Sequence, residues 1–486
     1  MAKKKEGLSL VDLFTLGFGA IIGVGWSVTL NNVMITGGGP VPAALGFALA
    51  TVAFIPVALC YAELTPAMPV AGGIIVYAYR AFNTGTSFMA GWFLVMSYIS
   101  ILPWEAIAIN DVISYIVPQL RSGTVLYTIA GTDIYLRTVI VGLALSMMVV
   151  ALNWRGVQSA AAFQTVLTLF LIVSSIACAV FALIRADASH VLPIYAPMEG
   201  KTHTSFLTGV LSMFAMAPFY FSGFDTIPQG AEEAGGVKPS SLGRVIMGAL
   251  VSAGLFYILI VTSAGLAYPW ESFVGFDRPA LPNLFRFAYP STFGLFLFWL
   301  CLAATLAGLF TTWNGFYIAG ARLLLGMGRA RLLPRFFARI HPKYKTPYGG
   351  NLFCAMAMFT GPFLGIGIID PLTVFASAGF VIGWGLCCLS AFRLRATCPD
   401  MPRPYRIPCG VPVALTGVAF CVFLFLDCAL PGMPGYMGKG GLLIFLAWSL
   451  LGLIFYFGTR KYRLGISEED RMAYLFESMK KPEISR

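Results

Sequence analysis

Twelve stretches of this 486-residue chain are apolar for long enough to cross a bilayer, and short polar or charged segments separate them. They fall at about 8–33, 42–64, 88–117, 134–152, 160–183, 206–227, 245–268, 293–325, 352–369, 374–392, 411–430 and 441–457. A bilayer core needs about 20 mostly apolar residues per helix. These runs are continuous rather than alternating, which predicts membrane helices and excludes an outer-membrane barrel. The first and sixth are interrupted in mid-span, by Gly23-Val24-Gly25 and by Ser222-Gly223-Phe224-Asp225. A break frees backbone N–H and C=O groups that lipid cannot satisfy, so it persists only where it is buried in protein or lines a polar cavity. Paired breaks in corresponding places of two halves point to a solute site near the membrane midplane.

Composition agrees with the pattern. With 58% hydrophobic and 11% charged residues and a mean hydropathy of +0.81, an ordinary soluble protein is excluded. The net charge of +11 would suit nucleic acid, but its distribution gives it another meaning. With the N-terminus on the cytoplasmic side, the cytoplasmic connections hold Arg80, Arg155, Lys238, Arg244, Arg322, Arg329, Arg331, Arg335, Arg339, Lys343, Lys345, Arg393, Arg395, Arg403 and Arg406, 15 in all. The opposite connections hold 7: Arg121, Arg137, Arg185, Lys201, Arg278, Arg286 and Lys439. Lys3-Lys4-Lys5 and the basic C-terminal tail add to the larger side. The positive-inside rule then places both termini in the cytoplasm of a plasma (inner) membrane protein. The charge is an orientation signal, and no nucleic-acid partner is expected. The first apolar run is too long for a signal peptide's h-region and reads as a retained helix.

No enzyme chemistry emerges. The ten cysteines form no C-x-x-C pair, and His190, His203 and His341 all fall in connections, so disulfides, zinc and haem lack their ligands. No nucleophile–base constellation appears. A channel would need a repeated filter or an oligomeric pore, and no such repeat is visible.

Five motifs at or near the ends of the apolar stretches recur in order. They are Gly19-Ala20-Ile21-Ile22-Gly23-Val24-Gly25; Glu63-Leu64-Thr65-Pro66-Ala67-Met68-Pro69-Val70-Ala71-Gly72-Gly73 followed by Tyr77 and Tyr79; Gly223-Phe224-Asp225 with Glu232-Glu233; Arg322 through Arg329, Leu333-Pro334, Phe337 and Ile340-His341-Pro342 to Thr346-Pro347; and Arg403-Pro404-Tyr405-Arg406-Ile407-Pro408. Together they resemble the amino acid–polyamine–organocation permeases across nearly the whole chain. The resemblance implies an all-α polytopic protein of twelve helices, the first ten forming two inverted five-helix repeats of LeuT type with discontinuous helices 1 and 6. On that division residues 1–395 are the transport core, with repeats at about 1–185 and 204–395; 396–458 hold helices 11 and 12, and 459–486 a cytoplasmic tail.

The family's backbone-binding scheme, carried onto matching positions, gives the amides of Gly23, Val24 and Gly25 to a substrate carboxylate and the carbonyls of Ile21, Phe221 and Ser222 to its ammonium group. Glycine suits such a site because it admits backbone conformations closed to residues with a Cβ and lets a ligand approach the main chain; close helix packing is its competing use. Trp26 follows the first break, and Phe221 and Phe224 bracket Gly223, so an aromatic of this group would close over the substrate, unless these rings only pack. Glu105, after Pro103-Trp104, lies near the middle of the third span. If it faces the cavity, it suits a proton carrier or a partner for a substrate amine; a structural bond to a neighbouring helix is the alternative. Asp225 opens the second half of helix 6 as a cap. Asp12, Glu63, Glu232 and Glu233 are expected in ion pairs with loop arginines.

Gly308, Thr311 and Thr312 stand at i, i+3 and i+4 on one helix face. By resemblance to sodium-coupled members of the fold, they would complete a sodium site with the carbonyls of Gly19 and Ile22. Many relatives place a helix-5 lysine there, but this span holds none, and its matching region near Phe170-Leu171 is apolar. Sodium and protons both remain open as coupling ions, because Thr311 and Thr312 have a second use in bonding back to their own helix. No other cofactor is implied. The chain thus reads as a secondary-active permease importing an amino acid or related small amine, with an exchanger or a transporter-like sensor as alternatives.

Overall fold

The computed structural model describes residues 7–198, 204–276 and 279–476. Lys3-Lys4-Lys5, Lys201, His203, Arg278 and residues 477–486 of the tail lie outside the described residues. In chain order the helices are α1 (Leu10–Ile21), α2 (Leu30–Gly37), α3 (Pro40–Ala67), α4 (Ile74–Ala81), α5 (Thr84–Ile116), α6 (Leu136–Arg155), α7 (Val157–Ile184), α8 (Phe206–Ala215), α9 (Ala217–Phe221), α10 (Ile227–Gly230), α11 (Pro239–Ala267), α12 (Trp270–Phe273), α13 (Ala280–Ala288), α14 (Thr292–Arg329), α15 (Tyr348–Thr360), α16 (Ile369–Thr397), α17 (Gly410–Ala429), α18 (Gly438–Gly458), α19 (Arg460–Leu464) and α20 (Glu468–Leu475). The protein is an all-α polytopic membrane protein. Among the described residues nine helices are long and apolar enough to cross a membrane.

The three predicted stretches missing from those nine are the first, sixth and ninth. The first and sixth divide at their glycine breaks into α1 and α2, and into α8, α9 and α10. The ninth stops at Gly361-Pro362, where two short 3-10 turns intervene before α16. Proline removes a helix donor and crowds the preceding turn, which is why the apolar run does not continue as helix. Between α5 and α6 the chain forms an antiparallel hairpin, β1 (Val125–Ile129) and β2 (Thr132–Tyr135), which the apolar pattern did not predict. Its turn residues Ala130 and Gly131 both have positive φ, the twist that a two-residue hairpin turn requires.

Local chemistry fixes the helix starts that flank the breaks. Ser9 and Asp12 form a capping box on α1 and Ser205 and Thr208 one on α8, satisfying N–H groups that an isolated helix end leaves bare. Helix α14, at 38 residues, runs about 57 Å, well past a bilayer core, and so carries Arg322 and Arg329 to the end of the molecule where α1 begins. Helix α1 packs against α7, α11 and α14, and α5 against α14 and α16, so both breaks are enclosed by long continuous helices.

Candidate functional site

The two breaks meet back to back. Gly223 has φ +128°, a conformation natural only to glycine, and a Cβ there would stand 2.6 Å from the Ile21 nitrogen and 2.7 Å from the Ala20 carbonyl carbon. Gly23 and Gly25, expected to use the same freedom, do not have positive φ. They serve close approach instead: a Cβ on Gly23 would lie 3.1 Å from Thr312 Oγ1 and 3.4 Å from Glu105 Oε1, and one on Gly25 2.7 Å from the Tyr220 ring.

A cavity of about 30 Å³ lies between the breaks, lined in part by Ile21, Gly23, Val24, Gly25, Glu105, Ser222 and Thr312. Its backbone groups divide by sign. Among the described residues the amides of Val24, Gly25 and Trp26 have no acceptor, whereas the Gly23 amide bonds to the Ile21 carbonyl (3.2 Å). The Ile21 carbonyl also accepts from Tyr257 Oη at 3.0 Å, so Gly23 and Ile21 are engaged with the protein itself, contrary to the expectation for both. The Phe221 and Ser222 carbonyls accept no hydrogen bond among the described residues. Glu105 is buried, and its Oε2 has no hydrogen-bond partner. A buried, unpaired carboxyl is costly to keep, and this one faces the cavity.

Three predicted aromatics sit elsewhere. Phe221 stacks on Phe54, Phe224 packs against Tyr61 and Trp384, and Trp26 meets Phe256 edge-on; none of the three lines the cavity. The rings that do are Trp104, Phe219, Tyr220, Tyr257 and Phe316. Trp104, Phe219 and Tyr220 also line a larger vestibule of about 370 Å³, which reaches the hairpin turn and Asp370. Trp104 and Phe219 lie 5.3 Å apart, and Trp104 Nε1 donates to Thr373 Oγ1 at 2.9 Å. These aromatics form the partition between vestibule and inner cavity. Trp104→Ala is expected to remove that partition and raise the substrate KM about tenfold, checked by initial-rate uptake; an unchanged KM would give the lid to other residues. The signal for Trp104 and Phe219-Tyr220 was their adjacency to Glu105 and the second break, which does not reveal helix face by itself.

The residues expected to bind sodium do converge. A Cβ on Gly308 would stand 3.1 Å from the Ile22 oxygen and 2.9 Å from the Gly23 oxygen, and Thr312 Oγ1 donates to the Gly19 carbonyl at 3.2 Å. Thr311 Oγ1 turns to its own helix, donating to the Gly308 carbonyl at 2.9 Å. The residues of α7, the fifth apolar span, that face this cluster are Gln164 and Thr168, not Phe170-Leu171. Both donate to the Thr15 carbonyl, at 3.2 and 3.3 Å, while Phe170 is exposed. Their i, i+4 spacing, in a span whose other polar residues are Thr165, Ser174 and Ser175, was a legible signal.

The end of the molecule that carries Leu8 is closed by ion pairs. Glu232 meets Arg329 at 3.0 Å and Glu233 meets Arg322 at 2.5 Å. Glu63, fully buried, meets Arg395 at 2.5 Å and Arg403 at 3.3 Å. Burial pushes the Glu233 carboxyl above the ordinary carboxylate range, and Arg322 draws it part of the way back. Among the described residues Asp12 pairs with no arginine. It accepts from the Ser9 backbone N–H and from Thr165 Oγ1. Asp225 caps the second break, accepting from the Gly223 amide (3.0 Å) and Tyr98 Oη (2.9 Å).

Comparison with known proteins bears on what such a site handles. The profile of the amino acid permease family matches residues 8–457. The chain is 26% identical over 472 residues to the branched-chain amino acid permease BcaP of Bacillus subtilis, covering 93% of this chain and 92% of that protein. It is 24% identical over 473 residues to the methylthioribose transporter of the same organism, covering 94% of each. It is 30% identical over 347 residues to cationic amino acid transporter 9, chloroplastic, of Arabidopsis thaliana, covering 69% of this chain and 57% of that protein. The chain therefore belongs to the amino acid permease family, within the amino acid–polyamine–organocation superfamily, and is a membrane transporter rather than an enzyme.

Proposed function

We propose that the protein is a secondary-active permease that imports an amino acid or a related small amine by alternating access, driven by sodium or protons. The observation that carries this reading is the cavity between the breaks, where unbonded amides of Val24 and Gly25 stand near the free Ser222 carbonyl and the unpaired Glu105. Such an arrangement offers donors to a carboxylate and acceptors to an ammonium group.

The reading includes twelve spans, with α1–α2, α8–α10 and α15 completing the nine long helices, and two inverted five-helix repeats over residues 1–395. It also includes cytoplasmic termini in a plasma membrane. The ion-paired end is then the cytoplasmic gate, closed, while the vestibule opens outward. The inner cavity has room for only a water or two, so substrate enters as Trp104, Phe219 and Tyr220 part. Cation binding shifts the balance between states only insofar as it favours one of them.

Counterflow in proteoliposomes against a panel of amino acids and amines, with sodium and pH gradients imposed separately, tests the reading. Thr312→Ala is expected to cut sodium-driven uptake about tenfold or more if the Gly19–Ile22–Gly308–Thr311–Thr312 cluster holds sodium, since a hard cation needs its oxygen ligands. Uptake indifferent to sodium and unchanged in Thr312→Ala assigns the coupling to protons. Failure of every panel compound to exchange would reject the permease reading in favour of a sensor.

A further inference from the structure

Helix α18 is the most outward-facing of the nine long helices, with Gly452 its one buried residue, and the chain that leaves it turns straight into a knot of basic side chains. Arg463 and Arg471 are both only 5% exposed. Arg471 donates to the Arg463 carbonyl, so two buried guanidinium-bearing residues are held side by side. Among the described residues Arg463 Nε and Nη1 and Arg471 Nε have no hydrogen-bond partner. Around them stand Arg460, Lys461, Arg331 and Arg335. Arg331 donates to the Gly465 carbonyl at 3.1 Å, and both Arg331 and Arg335 lie over Tyr462, at 5.2 and 5.7 Å.

None of these six cations makes an ion pair among the described residues; every ion pair there involves other basic groups. The acids of α20 do not fill the gap. Asp470 is engaged by the Ser467 cap, accepting from Ser467 Oγ at 2.8 Å, and Glu468, although near enough to Tyr79 to act on its hydroxyl, forms no ion pair with Arg463 or Arg471 among the described residues. Tyrosine faces take part of the burden: Arg463 lies 3.4 Å above Tyr456, and Arg471 5.7 Å from Tyr79. A ring quadrupole attracts a cation far less than a formal anion does, and a buried cation without a counter-charge is strongly unfavourable. Burial, with Arg471 and Arg460 alongside, holds the Arg463 guanidinium below its ordinary value. Among the described residues, therefore, two adjacent buried guanidiniums lack an anion.

We propose that the corner formed by Arg463, Arg471, Arg331 and Arg460 is a binding site for a phosphate group, which completes the fold where α18 leaves the membrane. Guanidinium forks match phosphate oxygens in pairs. Basic residues directly beyond a membrane helix on the cytoplasmic side meet the anionic headgroups of that leaflet. The phosphate of an anionic lipid and a free phosphate share this chemistry. The site is independent of the transported substrate. Arg331 is two residues from Arg329, the partner of Glu232, so an anion here also braces the ion-paired end of α14.

The test is the melting temperature of the full-length purified protein in phosphatidylcholine nanodiscs, in nanodiscs of phosphatidylglycerol and phosphatidylcholine, and in phosphatidylcholine with millimolar inorganic phosphate. A rise of several degrees with phosphatidylglycerol alone, at least halved in Arg463→Gln and Arg471→Gln, is expected and assigns the phosphate to lipid. The same rise with inorganic phosphate, equally dependent on the arginines, supports the site with a soluble ligand. Arg331→Gln, at a partly exposed position, gives the same readout should the buried substitutions not fold. No rise with either anion, or a rise that the arginine variants keep in full, overturns the proposal. So does a chain ending at Phe476 that melts as low as Arg463→Gln in every nanodisc, because a carboxylate of residues 477–486, Glu477 or Glu483, would then be the counter-ion.

Discussion

Glu105→Gln is expected to abolish concentrative uptake, lowering the initial rate at least a hundredfold, while leaving the protein as stable as before or more so. The two halves of that outcome come from one observation. The carboxyl is buried, faces the cavity between the breaks, and leaves Oε2 without a partner. A buried carboxylate without a counter-charge is costly to keep ionised, so a purely structural residue here would be left as stable or improved by a neutral isostere. If Glu105 instead meets the substrate ammonium or carries the coupling proton, the isostere removes the charge that transport requires. Stability and activity then move in opposite directions, as they do where function holds a group in an unfavourable place. Initial uptake rates and melting temperature on the same preparation decide it. Retention of more than half the uptake, with or without a change in melting, would sink the assignment.

Gly223→Ala carries the second large effect, and it acts through the backbone. At φ +128° an L-residue is strained whatever the space around it, and here the added methyl meets main-chain atoms of α1 at 2.6 and 2.7 Å. Backbone cannot rotate aside as a side chain can. Strain of about 1–3 kcal/mol adds to an overpacking cost of about 1–3 kcal/mol, and the two breaks are pushed apart. Melting should fall by several degrees, and transport should be lost even at temperatures where the variant remains folded. Gly440→Ala is the control: it has nothing within 4 Å and no positive φ, so its uptake should match the parent and its melting should equal or slightly exceed it. Gly223→Ala with normal uptake would mean that the breaks need not touch during transport.

Much of this was legible in the chain. Continuous apolar runs dictated helices because a membrane leaves the backbone no other partner than itself, and glycine in mid-run marked the first and sixth as broken. The motif order carried the family, which the profile match over residues 8–457 shows. Glu63, Glu232 and Glu233 were expected in ion pairs with loop arginines; they are found in ion pairs, but with Arg322 and Arg329 on α14 and Arg395 on α16, only Arg403 coming from a connection. What the pattern did not disclose was direction. Phe221 and Phe224 flank Gly223 in sequence, yet both turn away from the cavity, whereas Phe219, Tyr220 and Trp104 line it. Around a break the helical period is lost, so spacing no longer predicts which side a ring takes.

The same division runs through the binding groups. The amino-acid sequence by itself determined that backbone N–H and C=O groups would be freed around Gly23-Val24-Gly25 and Ser222-Gly223-Phe224-Asp225, because glycine in mid-run is a local property. Only the tertiary structure decided which of them remain free. Tyr257 arrives from α11 to occupy the Ile21 carbonyl, the first break folds its own Gly23 amide back on that same carbonyl, and Thr312 of α14 takes Gly19. That leaves Val24, Gly25 and Trp26 as donors and Phe221 and Ser222 as acceptors. A hydrogen-bond group is available to a solute only when no neighbour in space claims it, and neighbours in space come from helices more than two hundred residues apart.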